Sequence, residues 1–170
     1  MVILLMGVAG SGKTTIGRRL AAGLGWSFLD ADDFHPGASV EKMRRGVGLD
    51  DADREPWLAA LEGAIRERLE RGEDAVLACS ALKESYRARL LVDGRVRLVY
   101  LKGEAALLRL RLEQRPDHFF SSELLRSQLE ALEEPEGVLV LDVADSPEAI
   151  VRQIGLALGL HTHSAHEEGS

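Results

Sequence analysis

The sequence predicts an α/β fold, a parallel five-stranded sheet flanked by helices. Short apolar runs alternate along the chain with segments whose apolar residues recur at helical spacing, the pattern of strand–helix–strand units. The apolar runs are continuous rather than alternating in polarity, as strands covered on both faces must be. A length of 170 residues and a hydrophobic content of 45% suit one domain with a core of its own.

Each element has its own justification. Val2 to Met6 is an apolar run closed by Gly7, the first strand. Ile16, Leu20 and Leu24 recur at helical spacing over 13–24, and Gly25 stops that helix. Trp26 to Leu29 reads as the second strand, ending at Asp30. Ser39 to Arg45 reads as a short helix closed by Gly46. Asp50 to Asp53 marks a helix start, where carboxylates meet the positive end of the helix dipole. Pro56 falls in its first turn, where proline is tolerated, and Leu58, Leu61, Ile65 and Leu69 carry the helix to Gly72. Residues 75–79 form the third strand, 83–92 a helix, 96–101 the fourth strand, and 104–115 a helix rich in Leu and Arg that Pro116 breaks. A helix over 121–132, a fifth strand over 138–143 and a helix over 147–158 complete a single domain, 1–158. Residues 159–170 lack an apolar period and read as a disordered tail, whose histidines 161, 163 and 166 fit a solvated end better than a metal site.

Composition narrows the partners. A net charge of −7 argues against nucleic acid, although a local cluster of Arg and Lys can still bind an anionic ligand. The single cysteine, Cys79, rules out an intrachain disulfide and fits a reducing cytoplasm. The apolar N-terminus is too short, and lacks the basic flank, for a signal peptide. No run approaches the roughly 20 residues that span a bilayer, so no membrane partner is expected.

Chemistry enters at Gly7-Val8-Ala9-Gly10-Ser11-Gly12-Lys13-Thr14, followed by Thr15. The spacing, a glycine, four residues, then Gly-Lys-Thr, is that of a P-loop. Glycines let the backbone curl until successive N–H groups face phosphate oxygens, and the helix that follows adds its positive end. Lys13 can reach the β- and γ-phosphates, and the Thr14 hydroxyl can ligate Mg²⁺. The loop follows a buried strand and opens a helix, as a P-loop NTPase-type sheet requires, so ATP and Mg²⁺ are the expected cofactors. No Asn-Lys-x-Asp motif for reading guanine occurs, which favours a small-molecule kinase over a switch GTPase.

Asp30 and Asp32 follow the second strand. On an extended segment, residues i and i+2 share a face. One carboxylate could then hold Mg²⁺ through water, with Asp30 nearer the strand, while Asp32 accepts the proton of an attacking hydroxyl. Asp33 points elsewhere on that reading. Arg111 and Arg115 lie four apart on one helix face, just before the break at Pro116-Asp117-His118-Phe119-Phe120.

These segments resemble the small bacterial-type gluconate kinases. The resemblance runs through Asp30-Ala31-Asp32-Asp33-Phe34-His35-Pro36, Glu41-Lys42-Met43, Leu49 to Leu58, Cys79-Ser80-Ala81-Leu82-Lys83, Tyr86-Arg87 and Tyr100 to Gly103. It continues through Arg111, Arg115, His118-Phe119-Phe120, Ser127-Gln128, Leu132-Glu133 and Pro135, and covers about residues 2–155. Ser39, Gly48 and Ala88 depart from the family's usual residues, away from the phosphate machinery. The resemblance implies transfer of phosphate from ATP to D-gluconate, giving ADP and 6-phosphogluconate, and suggests a homodimer. It also implies a small lid, about 112–124, whose closing would bring Arg115 to the γ-phosphate while Arg111 packs along the adenine or the phosphates.

A polyol acid needs a cation for its carboxylate. Arg54 is the first candidate, because a guanidinium binds a carboxylate as a fork; Lys42, Lys83 and Arg87 are further ones. Ser80, at the end of the third strand, can hydrogen-bond a hydroxyl. His35 either bonds substrate or Asp32, or caps the helix after Pro36, and Trp57 reads as core rather than a stacking platform. Two competing readings are a shikimate kinase, which should carry a Gly-Gly-Gly-type segment where Cys79-Ser80-Ala81 stands, and an ATP-binding regulator, which should lack Lys13, Asp32 or the lid arginines.

Overall fold

The computed structural model describes residues 1–114 and 122–161. The strands are β1 (Val2–Met6), β2 (Ser27–Asp30), β3 (Ala75–Ala78), β4 (Val96–Lys102) and β5 (Leu139–Asp142). The helices are α1 (Lys13–Leu24), α2 (Gly37–Arg44), α3 (Asp51–Arg71), α4 (Glu84–Leu90), α5 (Ala105–Glu113), α6 (Ser122–Ala131) and α7 (Pro147–Leu158). The strands form one sheet in the order β2-β3-β1-β4-β5, every pair parallel.

β1 lies at the centre and is buried along its whole length. Its side chains alternate between two cores. Val2, Leu4 and Met6 pack with Trp57, Leu61 and Ile65 of α3. Ile3 and Leu5 pack on the other face with Ile16 and Leu20 of α1 and Ile150 and Ile154 of α7. This is the two-faced burial that the continuous apolar runs imply. The register pairs Leu5 with Ala78, Asp30 with Ala78 and Met6 with Tyr100. The carboxyl ends of the strands therefore finish level, and the loops leaving β1, β2 and β3 meet at one edge, where ligands bind in such sheets.

The acidic start of α3 acts as a capping box. Asp50 accepts the Asp53 N–H at 2.7 Å, and the Asp53 carboxylate accepts the Asp50 N–H at 3.2 Å, so two otherwise orphaned donors are satisfied. Two local expectations need correction. The chain after β2 is not extended: Ala31–Phe34 form a turn of 3₁₀-helix, because the Asp30 carboxylate accepts the Asp32 N–H at 3.1 Å and folds the backbone over. α2 starts at Gly37, two residues before the expected Ser39, directly after Pro36. Most of the expected lid, with Arg115 and His118 to Phe120, lies outside the described residues, as does the tail beyond His161.

Candidate active site

The phosphate cradle is built by backbone that only glycine tolerates. Gly10 and Gly12 hold φ of 84° and 86°, and a Cβ on Gly10 would sit 2.9 Å from the Leu108 carbonyl. Gly12 is the last residue before α1, whose first residue is Lys13, so the loop delivers its amides to a helix N-terminus. Val8 and Ser11 are buried beneath the loop. Lys13 Nζ donates to the Gly7 and Val8 carbonyls at 2.9 and 3.2 Å, folding back over its own loop. Thr14 Oγ1 donates to Asp30 Oδ2 at 2.9 Å, and Thr15 follows on the exposed side of α1. The Gly7 N–H donates to the Ser80 carbonyl at 3.4 Å, tying the cradle to the end of β3.

Asp30, Asp32 and Ser80 line the same cleft as Ala9, Lys13 and Thr14. The two carboxylates thus share a site as expected, but through the 3₁₀ turn rather than through strand alternation. The Asp32 carboxyl is pushed above its usual range, chiefly because the surrounding protein shields it from bulk water, and next by the Asp30 charge; Lys13 and His35 oppose the shift. The turn is held from behind. Trp57 Nε1 donates to the Ala31 carbonyl at 2.7 Å, and the His35 ring stacks on Trp57 with centroids 4.8 Å apart and planes at 5°.

His35 therefore does something the sequence did not suggest. Pro36, not His35, stands at the cap position of α2, and His35 meets Asp32 through its backbone, its N–H donating to the Asp32 carbonyl at 3.5 Å. Its Nδ1 is buried without a partner among the described residues. Burial lowers its pKa, with Asp32 opposing and Arg54 reinforcing, which favours a neutral ring braced against Trp57. Trp57 is 4% exposed, so it is core as expected, but it is also the platform for His35.

The cations expected on the substrate side divide. Arg54 and Lys83 gather around Asp51 at the start of α3. Lys83 Nζ donates to the Asp51 carboxylate at 2.8 and 3.1 Å, and the Tyr86 hydroxyl donates to it as well. Arg54 stands 3.8 Å from Asp51 and 3.4 Å from the Tyr86 oxygen, the loosest commitment of the set. Lys42 is held by Asp53 at 2.7 Å.

Arg87 is a correction. It is 5% exposed, and its Nη1 donates to the Ala81 and Leu82 carbonyls at 3.0 and 2.9 Å. Ala81 has a φ of 44°, the left-handed region, uncommon for a residue with a Cβ. Arg87 thus locks the strained turn that follows Ser80, and a buried guanidinium so used is a brace for the site. Replacing Arg87 with Met should cost about 3 kcal/mol, from charge-assisted bonds lost in the interior. Thermal denaturation should register this as a fall in Tm on the order of 10 °C. An unchanged Tm would mean that the turn holds without it.

Arg111 is also committed, its Nη2 donating to the Val143 carbonyl at 2.5 Å, which ties α5 to the end of β5. Cys79 lines the cleft, but burial pushes its thiol up to about 12, so it offers no thiolate. Gln128 of α6 also lines the cleft, and its Oε1 accepts the Ala9 N–H at 2.6 Å.

Comparison with known proteins gives the assembly a family. A family model described as "AAA domain" matches residues 2–135. A gluconokinase of Gluconobacter oxydans is 42% identical over 156 residues, covering 89% of this chain and 88% of its own length. The chain belongs to the gluconokinase family. A crystal structure of a gluconokinase from Sinorhizobium meliloti superposes with a TM-score of 0.82 at 42% identity, covering 92% of this chain and 91% of the other. An unliganded sugar kinase from a Janibacter species superposes with a TM-score of 0.86 at 37% identity, covering 94% of each chain. Membership makes the chain an ATP-dependent kinase acting on an alcohol group. Among the described residues, no helix is long and apolar enough to cross a membrane.

Tyr86 and Asp51, which hold the candidate cations, and Gln128, which lines the cleft, have no role predicted from the sequence. Tyr86 and Gln128 carry a signal only as part of the family resemblance. Nothing in local periodicity says that Asp51, read as a helix start, would organise two cations.

Proposed function

We propose that this chain transfers the γ-phosphate of ATP to the 6-hydroxyl of D-gluconate. What carries the reading is the Asp32 carboxylate, raised in pKa and set in one cleft with a P-loop, in a chain related to gluconokinases over nearly its whole length. Asp32 accepts the proton as the acceptor oxygen bonds to Pγ and the bond from Pγ to the β,γ-bridging oxygen breaks, releasing ADP. Lys13 and the loop amides hold the phosphates. Thr14 and Asp30 supply hard oxygen donors 2.9 Å apart, which fit Mg²⁺ held by a few protein oxygens together with substrate phosphates. Mg²⁺ held by Thr14 and Asp30 would supply positive charge to offset that of the phosphates. Ser80 bonds a substrate hydroxyl, His35 and Trp57 fix the turn bearing Asp32, and Arg115 of the lid completes the charge on the γ-phosphoryl.

Arg54 takes the substrate carboxylate, since it is the least committed of the four candidate cations and its charge is felt at His35. Arg54→Ala should raise KM for gluconate by about tenfold or more, the worth of a charge-assisted bond, and leave KM for ATP within about threefold. A coupled ADP-release assay over a panel of sugar acids, shikimate and nucleoside monophosphates tests both points. Turnover of shikimate or a nucleotide without turnover of gluconate would overturn the reading.

A further inference from the structure

Gln128 is the one cleft-lining residue, among those described, that comes from beyond Ser80 in the chain. It sits on α6, whose far end is fastened to the acceptor side of the site. The Glu133 N–H donates to the Leu82 carbonyl at 2.9 Å, and the Glu133 carboxylate accepts the Glu84 N–H at 2.6 Å, capping α4. Leu125 and Leu129 hold the helix against the core shared with α1 and α5. A half-buried carboxamide is thereby presented to the phosphate cradle from a fixed base.

The chemistry of the contact is specific. The Ala9 amide belongs to the loop that curls around phosphate, and it donates to Gln128 Oε1 at 2.6 Å. A carboxamide carries its acceptor and its donors on opposite ends of one plane. With the oxygen committed to Ala9, the NH₂ end is turned away from that amide, and no described residue accepts a hydrogen bond from it. Its neighbours in the cleft include Lys13, Thr14 and Asp32, where the phosphoryl group passes from donor to acceptor.

We propose that Gln128 is a catalytic residue that binds the transferred phosphoryl group. Its oxygen holds the Ala9 amide and its NH₂ donates to a γ-phosphoryl oxygen. It thereby distinguishes a nucleotide triphosphate from a diphosphate, and it links the cradle to the Leu82–Glu84 loop through α6. The inference rests on the kinase reading above, but nucleotide binding alone decides it.

Two substitutions close to isosteric separate the two ends of the carboxamide. Gln128→Glu keeps an oxygen for Ala9 and turns the donor into an anion facing the γ-phosphate. Gln128→Met removes both. Calorimetric titration with Mg²⁺ and either ADP or a non-hydrolysable ATP analogue should show Gln128→Glu weakening the analogue by about tenfold or more while ADP shifts by less than about threefold. Gln128→Met should lower kcat by about 10²-fold, the effect of losing one donor to developing charge. A residue that merely shapes the loop would move ADP and the analogue equally, and that result would overturn the proposal. Tighter analogue binding by Gln128→Met would overturn it too, since the carboxamide would then only occupy the phosphate site. If wild-type protein fails to phosphorylate gluconate, the function above falls while the comparison of ADP with the analogue still decides the role of Gln128.

Discussion

Replacing Asp32 with asparagine is expected to give a protein that is harder to melt and almost unable to turn over. Both effects come from one carboxylate. Its pKa in the folded protein is raised, by shielding from bulk water first and by the Asp30 charge second. A group whose folded pKa lies above its unfolded value contributes stability that is complete below the unfolded value and is lost as pH rises through the folded one. At neutral pH the ionised Asp32 is therefore a net cost to the fold, which asparagine removes. The Tm gain of Asp32→Asn should be present at neutral pH and shrink toward zero as pH falls below the carboxyl range. Activity runs the other way. Only the ionised form can accept the proton, so kcat/KM for gluconate should rise with pH along a limb lying above the ordinary Asp value of 3.8. Asp32→Asn should lose about 10²–10⁴-fold in kcat, the usual worth of a general base, with ATP affinity little changed. Turnover within about tenfold of wild type would remove Asp32 from the role of base.

Lys13→Met should be as damaging, but with a different signature. Lys13 is the cation of the cradle, folded onto the Gly7 and Val8 carbonyls and able to swing to the phosphates. Methionine keeps the stem and removes the charge. Loss of one preorganised charge at the transferred group is worth about 10²–10³-fold in kcat, and ATP affinity should fall as well. The pair of variants is therefore diagnostic. Asp32→Asn binds ATP and does not transfer its phosphate; Lys13→Met is impaired in both. Calorimetric ATP binding beside steady-state rates checks this, and equal ATP affinities in the two variants would contradict the assignment of donor and acceptor sides.

Much of this was legible in the sequence because its signals were local. A continuous apolar run marks a strand buried on both faces, and β1 to β5 lie within a few residues of their expected limits. The loop from Gly7 to Thr14 takes its shape from backbone that glycine permits, so the glycine spacing is enough to foresee that shape. The failures were tertiary. Asp30 and Asp32 were paired through strand alternation, but the Asp30 side chain folds the next residues into a 3₁₀ turn, and the two carboxylates meet by another route. Arg87 looked like any cation near a site until its guanidinium proved to hold the turn at Ala81. Stacking of His35 on Trp57 joins residues far apart in sequence, and no local pattern announces it. Gln128 reaches Ala9 across 119 positions of sequence, so only the fold could bring them together.

On the proposed reading, the cleft between the P-loop and Asp32 phosphorylates the terminal hydroxyl of a six-carbon sugar acid. The most direct test is phosphorus NMR of the product formed from ATP, Mg²⁺ and D-gluconate by the wild-type protein. A phosphomonoester signal split into a triplet by the two C6 protons, growing in step with ADP, is the predicted result. ADP accompanied only by inorganic phosphate, or a phosphate split into a doublet by a single ring or chain proton, would contradict it.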